Sequence, residues 1–293
     1  MKYRDRQGNE YNITTSQDGF LANAYASPLG RGLLKFLSLP FFSKCGRAVL
    51  GSRLSGGFAP QFAESNNIDM FDYEDKTYAS FNEFFTRKIK PGRRHFTPDD
   101  SKVVSPADGK VSAYEITHSN IFVIKNSVYS IESLLRDRKL AKKYQGGTAL
   151  IIRLSVDDYH RYIYPVRGVK SRDRSIKGFL NTVNPVANRY VSVYKENSRT
   201  YCMIRTPKLG DVIQMEVGAL MVGKITNHNP HGGYRVAQGE EKGYFEFGGS
   251  TIVLLLEKDK AKACGDLIKN TLEGYETKVR QGEVLAESIS IKK

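Results

Sequence analysis

Residues 242–256 read Lys-Gly-Tyr-Phe-Glu-Phe-Gly-Gly-Ser-Thr-Ile-Val-Leu-Leu-Leu, and the predicted fold is built outward from this stretch. Its apolar end, residues 252–256, is short and rich in branched side chains, which predicts a buried β-strand rather than a helix. The glycines before Ser250 allow backbone angles that residues with a Cβ cannot adopt, so the turn into the strand can be sharp or strained. A hydroxyl beside the unhindered Gly249–Ser250 bond is placed to attack the carbonyl group just before it. The local sequence alone also fits a glycine bulge before a core strand, because Gly-Gly-Ser-Thr is common in turns.

The length and charge of the chain set limits on its organisation and its partners. A length of 293 residues predicts one large domain with an appendage, or two domains. The 45 Lys and Arg residues exceed the 31 Asp and Glu residues, and the net charge is +14. This excess favours an anionic partner, either nucleic acid or an acidic membrane surface, and composition does not choose between them.

Cysteine usage and hydropathy narrow the class of protein further. Cys45, Cys202 and Cys264 are widely separated, which argues against a disulfide framework and a Cys-rich zinc site and favours a reducing compartment. Residues 1–28 hold no apolar core of a signal peptide, and no stretch approaches the ~20 apolar residues that span a bilayer. We therefore expect a soluble or peripheral protein rather than a transmembrane one.

The first helical signal lies in residues 29–42. Apolar side chains such as Leu29, Leu33 and Leu37 recur there at helical spacing with basic residues between them, and Pro40 should end or kink the helix. A short, basic segment with an apolar face lies either in a membrane interface or against the protein core.

A second helix is predicted from Ser80, which has the capping-box spacing to Glu83. A Pro-Gly turn closes the segment at 91–92. The helix is followed by a basic cluster, which we define as Arg87, Lys88, Lys90, Arg93 and Arg94. This cluster is either a solvated helix end or a contact for an anion or a lipid head group.

From about residue 100 onward, short apolar runs separated by Gly, Pro, Asn and Asp turns predict β-strands. The runs are 121–124, 148–154, 191–194, 201–205, 212–217 and 252–256. Residues 276–285 alternate around Gly282 and predict one more hairpin. The sequence therefore predicts an α+β fold in which N-terminal helices pack on a mainly antiparallel β core, with the strand of Ser250 in the centre.

Polar residues in three predicted turns supply the side chains that activate a nucleophile such as Ser250. Asp108 lies in a Ser-Pro-Ala-Asp-Gly turn, although Asp-Gly is also a routine turn pair. His160 follows a predicted strand, and histidine is the commonest general base as well as a frequent structural residue. His228 and His231 stand in a Pro/Gly loop without a carboxylate or cysteine at ligand spacing, so we expect a solvated loop rather than a metal site. In an activated set, the base takes the hydroxyl proton and the acid orients the base.

Six segments of the chain form a pattern that extends beyond these single residues. They read Phe-Phe-Thr-Arg-Lys-Ile-Lys-Pro-Gly at 84–92, Ser-Pro-Ala-Asp-Gly at 105–109, Asp-Tyr-His-Arg at 158–161, Val-Asn-Pro at 183–185, Val-Gly-Ala-Leu-Met-Val-Gly-Lys-Ile at 217–225, and Lys-Gly at 242–243 followed by Phe-Gly-Gly-Ser-Thr at 247–251. Together they resemble the phosphatidylserine decarboxylase proenzyme family, and they occur in the order that the family has. The Gly-Gly-Ser-Thr form is similar to the subgroup with glycine where other members have leucine.

The resemblance implies a self-processing enzyme with its cleavage site at Gly249-Ser250. Ser250 Oγ attacks the Gly249 carbonyl, the acyl group shifts from nitrogen to oxygen, and elimination releases a β chain, residues 1–249. The first residue of the remaining α chain becomes a pyruvoyl group, so the cofactor is pyruvate derived from Ser250 and no metal is required. Its ketone forms a Schiff base with the amine of phosphatidylserine and acts as an electron sink while CO2 leaves, which gives phosphatidylethanolamine. The resemblance assigns catalytic roles to Asp108, His160 and Ser250.

One position departs from the family pattern. Many members carry a second histidine three residues after the first, and that position here is Ile163. Either His160 serves both self-cleavage and decarboxylation, or another group acts as the cleavage base.

The resemblance also implies the partners and the location of the protein. We expect phosphatidylserine in an anionic membrane as substrate, a heterodimer of the self-derived β and α chains with a higher homo-oligomer left open, and peripheral binding at the cytoplasmic face of a bacterial membrane. The segment 29–42 and the basic cluster suit such a surface, since each Lys or Arg near it contributes ~1 kcal/mol. We therefore divide the chain into an N-terminal helical, membrane-facing region, residues 1–98, and a β-rich catalytic domain, residues 99–293.

Three other functions fit part of the sequence. A serine hydrolase would use the same residue types, but Ser250 is followed by Thr251 and Ile252 and the Gly-x-Ser-x-Gly elbow is missing. A basic nucleic-acid-binding β protein explains the charge, but the aromatic binding motif is missing and we expect no nucleic acid. A pyruvoyl-dependent decarboxylase of a related serine phospholipid or an amino acid is the remaining alternative.

Overall fold

The computed structural model describes residues 2–12, 27, 29–30, 32, 46, 48–124, 127–178, 196–218, 224–247 and 250–289, and of residues 123, 124 and 127 it describes the backbone only. Several predicted features lie outside these ranges: Cys45, most of 29–42, the motif 183–185, the run 191–194 and the two glycines at 248–249. The described chain has the α+β fold that the sequence predicts, with one large, mainly antiparallel sheet and a few helices.

The described elements follow one another from a short N-terminal hairpin through two helical stretches into the β-rich part. The α-helices are α1 Phe58–Ser65, α2 Phe81–Phe85, α3 Ile131–Leu135, α4 Arg138–Lys142 and α5 Gly265–Leu272. The strands are β1 Lys2–Arg4, β2 Glu10–Asn12, β3 Lys102–Val104, β4 Gly109–Glu115, β5 Ile121–Ile124, β6 Ser127–Ser130, β7 Thr148–Leu154, β8 Arg161–Ile163, β9 Gly168–Lys170, β10 Arg174–Ile176, β11 Arg199–Arg205, β12 Asp211–Val217, β13 Ile225–Asn227, β14 Tyr234–Val236, β15 Glu241–Phe245, β16 Ser250–Leu256, β17 Ala261–Ala263, β18 Glu276–Val279 and β19 Val284–Ser288.

The large sheet has the strand order β14-β9-β11-β12-β16-β7-β4-β18-β1-β2, and β10 also pairs with β11. β16 lies in the middle of this order, between β12 and β7, and it is antiparallel to both. All seven of its residues are buried. The prediction of a buried, central Ser250 strand is therefore confirmed.

The two faces of the large sheet are covered by different partners. Because side chains alternate along a strand, Val253 and Leu255 of β16 pack with α3, α4 and the β5–β6 hairpin, on what we call the helix face. Ile252 and Leu254 pack on the opposite face, against the strands of the small sheets and against α5. We call this second face the small-sheet face. Ser250 lies two residues before Ile252 on the same strand, so its side chain points to the same face, the small-sheet face.

Two small sheets flank the large one, with strand orders β13-β15-β8 and β17-β19-β3. The second of them corrects the predicted hairpin at 276–285. A turn with a positive φ of +90° does occur at Gly282, but β18 joins β4 and β1 in the large sheet, whereas β19 joins β3 and β17. The turn is closed by the Glu283 N–H, which donates to the Arg280 carbonyl, and it is tied to Ser105, which donates to the Glu283 carbonyl and accepts from the Gly282 N–H.

The predicted N-cap at Ser80 is confirmed, whereas the returning bond of the capping box goes to Ala79 instead of Ser80. Ser80 Oγ accepts a hydrogen bond from the Glu83 N–H at 3.2 Å, and the Glu83 carboxylate accepts from the Ala79 N–H at 2.7 Å. The resulting helix, α2, buries Phe81, Phe84 and Phe85. The cap thus starts a helix whose Phe85 packs on His160 and Phe247.

The basic cluster does not act as one surface patch, which corrects the sequence-based interpretation for two of its members. Arg87 is buried and donates to the carbonyl oxygens of Phe84 and Asp157. Arg94 forms ion pairs with Asp72 and Asp108 at 3.0 and 2.6 Å. Both side chains hold the α2 region against the β core, because their carboxylate and carbonyl partners lie inside the fold.

Among the described residues, no helix is both long enough and apolar enough to cross a bilayer.

Candidate active site

Ser250 begins the central strand of the large sheet. Its backbone pairs with Leu154, the last residue of β7. Its side chain is fully buried, and within the described part of the chain its Oγ has no hydrogen-bond partner. A buried hydroxyl without a partner costs folding free energy, so such a group points to a role other than stability.

His160 lies in the loop between β7 and β8 and is fully buried. Its Nδ1 is 2.8 Å from the carbonyl oxygen of Asp158. A carbonyl oxygen only accepts hydrogen bonds, so Nδ1 carries a proton, and the neutral ring then has Nε2 as its proton acceptor. The ring of Phe85 packs on the imidazole with 4.0 Å between centroids.

The surroundings of His160 and Ser250 converge on the small-sheet face. The Phe245 N–H donates to the His160 carbonyl at 3.0 Å, and the Phe247 ring packs on Phe85 with 5.0 Å between centroids. Phe247 is three residues before Ser250, and three residues of chain span at most about 11 Å. His160 and Ser250 are ninety residues apart in sequence, but Ser250 pairs with Leu154, the last residue of β7, and the loop of His160 leaves β7 at that same end.

A buried ion pair shapes the loop that carries His160. The Asp158 carboxylate accepts a hydrogen bond from the Ser155 N–H at 2.7 Å and pairs with Lys110 Nζ at 3.4 Å. Burial alone would raise the pKa of Asp158, but the attraction of Lys110 and the Ser155 hydrogen bond hold that pKa below its ordinary value. Asp158 thus stays ionised while its own backbone carbonyl orients the imidazole.

Asp108 lies in the predicted turn, and its carboxylate has two partners. Arg94 binds it through Nε and Nη2 at 3.1 and 2.6 Å, and the Gln281 N–H donates to it at 2.7 Å. The turn touches β8, because the Ile163 N–H donates to the Pro106 carbonyl at 2.9 Å. Asp108 is therefore a neighbour of the strand that follows His160, and its catalytic role stays a prediction.

The second histidine pair lies in an exposed loop, where His228 and Arg161 contact the same carboxylate, that of Glu241. His228 Nε2 is 2.7 Å from Glu241 Oε1, and the His228 ring is about half exposed. In the described ranges, no set of three His, Cys, Asp or Glu side chains is arranged to hold a metal ion.

Comparison with known proteins places the chain in a family. The family model described as phosphatidylserine decarboxylase matches residues 81–287. Phosphatidylserine decarboxylase proenzyme 2 of Clostridium acetobutylicum is 44% identical over 274 residues, which cover 93% of each chain. Proteins named phosphatidylserine decarboxylase proenzyme in Ruminiclostridium cellulolyticum and Clostridium botulinum are 40% and 38% identical over 97% and 100% of each chain. The chain belongs to the phosphatidylserine decarboxylase family.

Ile163, the position at which the sequence departs from the family pattern, lies beside the turn of Asp108. Because the Ile163 N–H bonds to the Asp108 turn, a histidine there would start beside Asp108. This chain has an isoleucine instead, and Arg94 binds the Asp108 carboxylate. The histidine that remains, His160, is the one whose surroundings converge with those of Ser250.

Sequence reasoning missed a group of buried polar residues beside the Ser250 end of β16. Glu216 of β12 and Lys242 of β15 are fully buried and form an ion pair at 2.6 Å. The signal available in the sequence was the Lys-Gly pair: a Cβ at Gly243 would lie 2.0 Å from the Thr226 carbonyl oxygen, so only glycine fits between β15 and β13. That glycine marks a close strand approach, which in turn places Lys242 inside the fold.

Proposed function

We propose that this protein is a pyruvoyl-dependent phosphatidylserine decarboxylase that cleaves itself between Gly249 and Ser250 and converts phosphatidylserine to phosphatidylethanolamine. The observation that carries the proposal is Ser250, a fully buried hydroxyl at the start of the central strand without a hydrogen-bond partner among the described residues. Family membership supports the decarboxylase activity, and the environment of Ser250 supports its role as the precursor of the pyruvoyl group.

Self-cleavage follows from the chemistry of a hydroxyl next to a peptide bond. Ser250 Oγ adds to the Gly249 carbonyl carbon, and the peptide C–N bond breaks as the acyl group moves to oxygen. Loss of the Ser250 Cα proton then breaks the Cβ–O bond and releases residues 1–249 with a free carboxylate. The dehydroalanine that remains takes up water and loses ammonia, which leaves the ketone of the pyruvoyl group.

His160 is our candidate for the proton acceptor in the first step. Its Nδ1 donates to the Asp158 carbonyl, which fixes the tautomer that keeps Nε2 basic. The aromatic side chains of Phe85 and Phe247 exclude water around the ring, so a proton taken from Ser250 Oγ stays in the site. This arrangement supports the alternative in which His160 acts without a second histidine.

The pyruvoyl ketone supplies an electron sink for the loss of CO2 from an amine-bearing substrate. Ser250 lies where such a group can be held rigidly, because β16 is paired on both edges and its seven residues are buried. The ketone carbon would be the former Cα of Ser250, at the end of β16 that pairs with Leu154, the last strand residue before the loop of His160.

Cleavage at this bond should leave a stable heterodimer. The α chain supplies β16, which is flanked by β12 and β7, and β18, which is flanked by β4 and β1. All four flanking strands precede the cleaved bond, so separating the chains would expose both central edges of the large sheet. We therefore propose that the β and α chains stay paired after processing.

The membrane part of the proposal rests on a surface that we call the Phe71 surface, formed by Phe71, Lys90 and Arg93. Phe71 is 64% exposed, and the Arg93 guanidinium lies 4.1 Å from its ring centroid. An exposed aromatic ring between cations suits an anionic lipid surface. We place the enzyme peripherally at the cytoplasmic face of the membrane, and the free thiols of Cys202 and Cys264 agree with a reducing compartment.

The test of self-cleavage is the intact mass of the purified wild type and of Ser250→Ala. We expect the wild type to separate in denaturant into a 249-residue chain and a 44-residue chain whose N-terminus is a ketone, and to elute as one species without denaturant. Ser250→Ala should remain one chain. A wild type that also remains one chain under folding conditions would overturn the proposal.

The substrate is tested with the processed enzyme and three amines: phosphatidylserine in vesicles, a water-soluble short-chain phosphatidylserine, and free L-serine. Release of CO2 from the two lipids alone supports the proposal, and preference for L-serine contradicts it. For the membrane part, Phe71→Ser/Arg93→Ser should weaken sedimentation with phosphatidylserine vesicles, whereas Leu272→Ser, at a position that is 83% exposed on α5, should not. Equal sedimentation of the wild type with neutral and anionic vesicles would contradict membrane targeting by charge.

A further inference from the structure

Two buried polar links join β12 of the large sheet to the small sheet β13-β15-β8. Lys242 Nζ of β15 lies 2.6 Å from Glu216 Oε1 of β12, and both side chains are fully buried. Gln214, two residues earlier on the same face of β12, donates from Nε2 to the Ile163 carbonyl of β8 at 3.1 Å. We call the Glu216–Lys242 pair, together with the Gln214 link, the inter-sheet clamp.

The clamp is extended by hydrogen bonds to the third strand of the small sheet. Asn227 of β13 donates to Glu216 Oε2 at 3.4 Å and to Asp173 at 2.6 Å. The Tyr162 hydroxyl of β8 donates to Asn227 Oδ1 at 2.8 Å. Every strand of the small sheet therefore has a polar tie that leads to β12.

Stability alone gives no reason for such a pair. Taking two charges out of water costs free energy that their attraction rarely exceeds, and well-packed apolar residues at such positions are often as stable or more stable. What a buried ion pair supplies is geometry, because both charges must stay in contact and apolar side chains can slide. The pair therefore favours one register between the two sheets.

That register decides where the reacting groups lie. Glu216 is opposite Ile252 in the β12–β16 pairing, so Ser250 is its diagonal neighbour, at about 7–8 Å between Cα atoms and on the same face. On the other side of the clamp, β15 holds the His160 carbonyl through the Phe245 N–H and leads into the chain that reaches Ser250. A shift of the small sheet against β12 would move His160 and the bond before Ser250 relative to β16.

We propose that Glu216 and Lys242 are positioning residues for self-cleavage, which fix the small sheet, and with it His160 and the scissile bond, against the strand of Ser250. The proposal rests on the self-cleavage proposed above. Displacement of a reacting group by 1 Å can slow a reaction about 100-fold even when the change lies away from the reacting atoms. The clamp acts through such a displacement and touches no reacting atom itself.

Protonation of Glu216 gives the clamp a pH signature. Glu216 faces Lys242 of β15, Asn227 of β13, Tyr162 of β8, Cys202 of β11 and Asp173. Burial raises the pKa of Glu216 to about 7, although Lys242 opposes the rise. As the pH falls below about 7, Glu216 gains a proton and its attraction for Lys242 is lost.

The deciding variant is Glu216→Leu/Lys242→Met, which removes both charges and leaves neither partner unpaired. We expect it to fold, with a thermal midpoint similar to that of the wild type, and to cleave itself about 100-fold more slowly at pH 8. At acid pH the wild type loses the clamp too, so the rate ratio should fall towards one. A merely structural role would leave that ratio independent of pH.

The matched control lies at the opposite end of the same two strands. Lys143 pairs with Asp211 at the start of β12 and with Glu257 just after β16, at 3.5 Å for the latter. Lys143→Met/Asp211→Asn removes an ion pair from the same strands without touching the small sheet. Its rate of self-cleavage should equal that of the wild type.

The outcomes separate the two proposals. If the wild type does not cleave, the proposed function fails whatever the variants do. If the wild type cleaves and the folded double variant cleaves equally fast at pH 8, the positioning role of the clamp is overturned and the proposed function stands. If the double variant does not fold, Glu216→Gln, which keeps the side-chain volume, is judged by the same rate and the same pH dependence.

Discussion

The two ends of the central strand β16 carry charged groups in opposite environments. At the Ser250 end, the ion pair of Glu216 and Lys242 is fully buried. At the Leu256 end, the cations that pair with Asp211 are Lys143 and Arg205, whose side chains are 42% and 75% exposed. The same antiparallel strands thus end in a fully buried ion pair on one side and in ion pairs with exposed cations on the other.

The difference shows which end carries a cost in folding free energy. Exposed ion pairs contribute about 0–1 kcal/mol, so the Leu256 end gains or loses little by its charges. A buried charge lowers stability unless it is fully paired, and a buried hydroxyl lowers stability when it has no hydrogen-bond partner. The proposed roles of Ser250, Glu216 and Lys242 in self-cleavage account for these groups at one strand end, since an apolar strand end would be at least as stable.

The largest expected effect comes from His160. Replacement by glutamine removes the proton acceptor from the Ser250 end, and loss of a general base typically slows a reaction about 10²–10⁴-fold. His160→Gln should accordingly slow self-cleavage by that factor in a time course of intact mass. His228→Gln, at the half-exposed second histidine, is the control and should cleave at the wild-type rate. Equal rates for both variants would mean that the buried groups around His160 have no part in the reaction.

The next effect compares one lysine from each end. Lys242→Met leaves the Glu216 carboxylate buried without its partner and should lower the free energy of unfolding by about 3–5 kcal/mol. Lys143→Met removes a cation that is 42% exposed and leaves Arg205 beside Asp211, so it should cost about 0–1 kcal/mol. Both are measured by urea unfolding in the Ser250→Ala background, where the chain stays in one piece. Similar values for the two variants would remove the distinction between the ends.

The strands around β16 could be predicted from the sequence. The apolar runs 148–154, 201–205 and 212–217 lie within β7, β11 and β12, because the apolar side chains of these runs form the buried core on the two faces of the large sheet. The wrong prediction was the hairpin at 276–285. A local turn signal specifies that the chain reverses direction, but the partner of each strand depends on residues such as Ser105 that are distant in sequence.

The burial of the polar and charged side chains at the Ser250 end could not be predicted from the sequence. Gln214 and Glu216 alternate with apolar residues in β12, and that pattern predicts a strand with one face in water. The small sheet covers that face, so both side chains are buried. Arg87 and Arg94 illustrate the same limit, since their acceptors lie elsewhere along the chain and a run of cations gives no sign of them.

The protonation of Glu216 at the Ser250 end should make the free energy of unfolding depend on pH. The pKa of Glu216 is about 7 in the folded protein and about 4.5 when solvated, so the folded state holds a proton that the unfolded state releases between those values. The stabilisation from this proton is complete below about pH 4.5 and is lost as the pH rises through about 7. The loss of stability over this range should be about 3 kcal/mol.

The measurement is the free energy of unfolding of Ser250→Ala and of Ser250→Ala/Glu216→Gln at a series of pH values between 5 and 8. The glutamine variant cannot titrate at this position, so its curve should be flatter in that range. Parallel curves would show that Glu216 is ionised throughout, and the pH signature of the inter-sheet clamp would then be lost as well.

The smallest effect separates the two neighbouring hydroxyls at the Ser250 end. Thr251 is fully buried, and its Oγ1, like Ser250 Oγ, has no hydrogen-bond partner among the described residues. Its parity with Val253 directs it to the helix face, away from His160. Thr251→Val keeps the shape and removes the hydroxyl, so it should raise the free energy of unfolding by about 1 kcal/mol and leave self-cleavage unchanged. If valine lowers stability instead, the Thr251 hydroxyl is satisfied in solution; if cleavage slows, the helix face takes part in the reaction, and the chemistry is not confined to the face that His160 and Ser250 share.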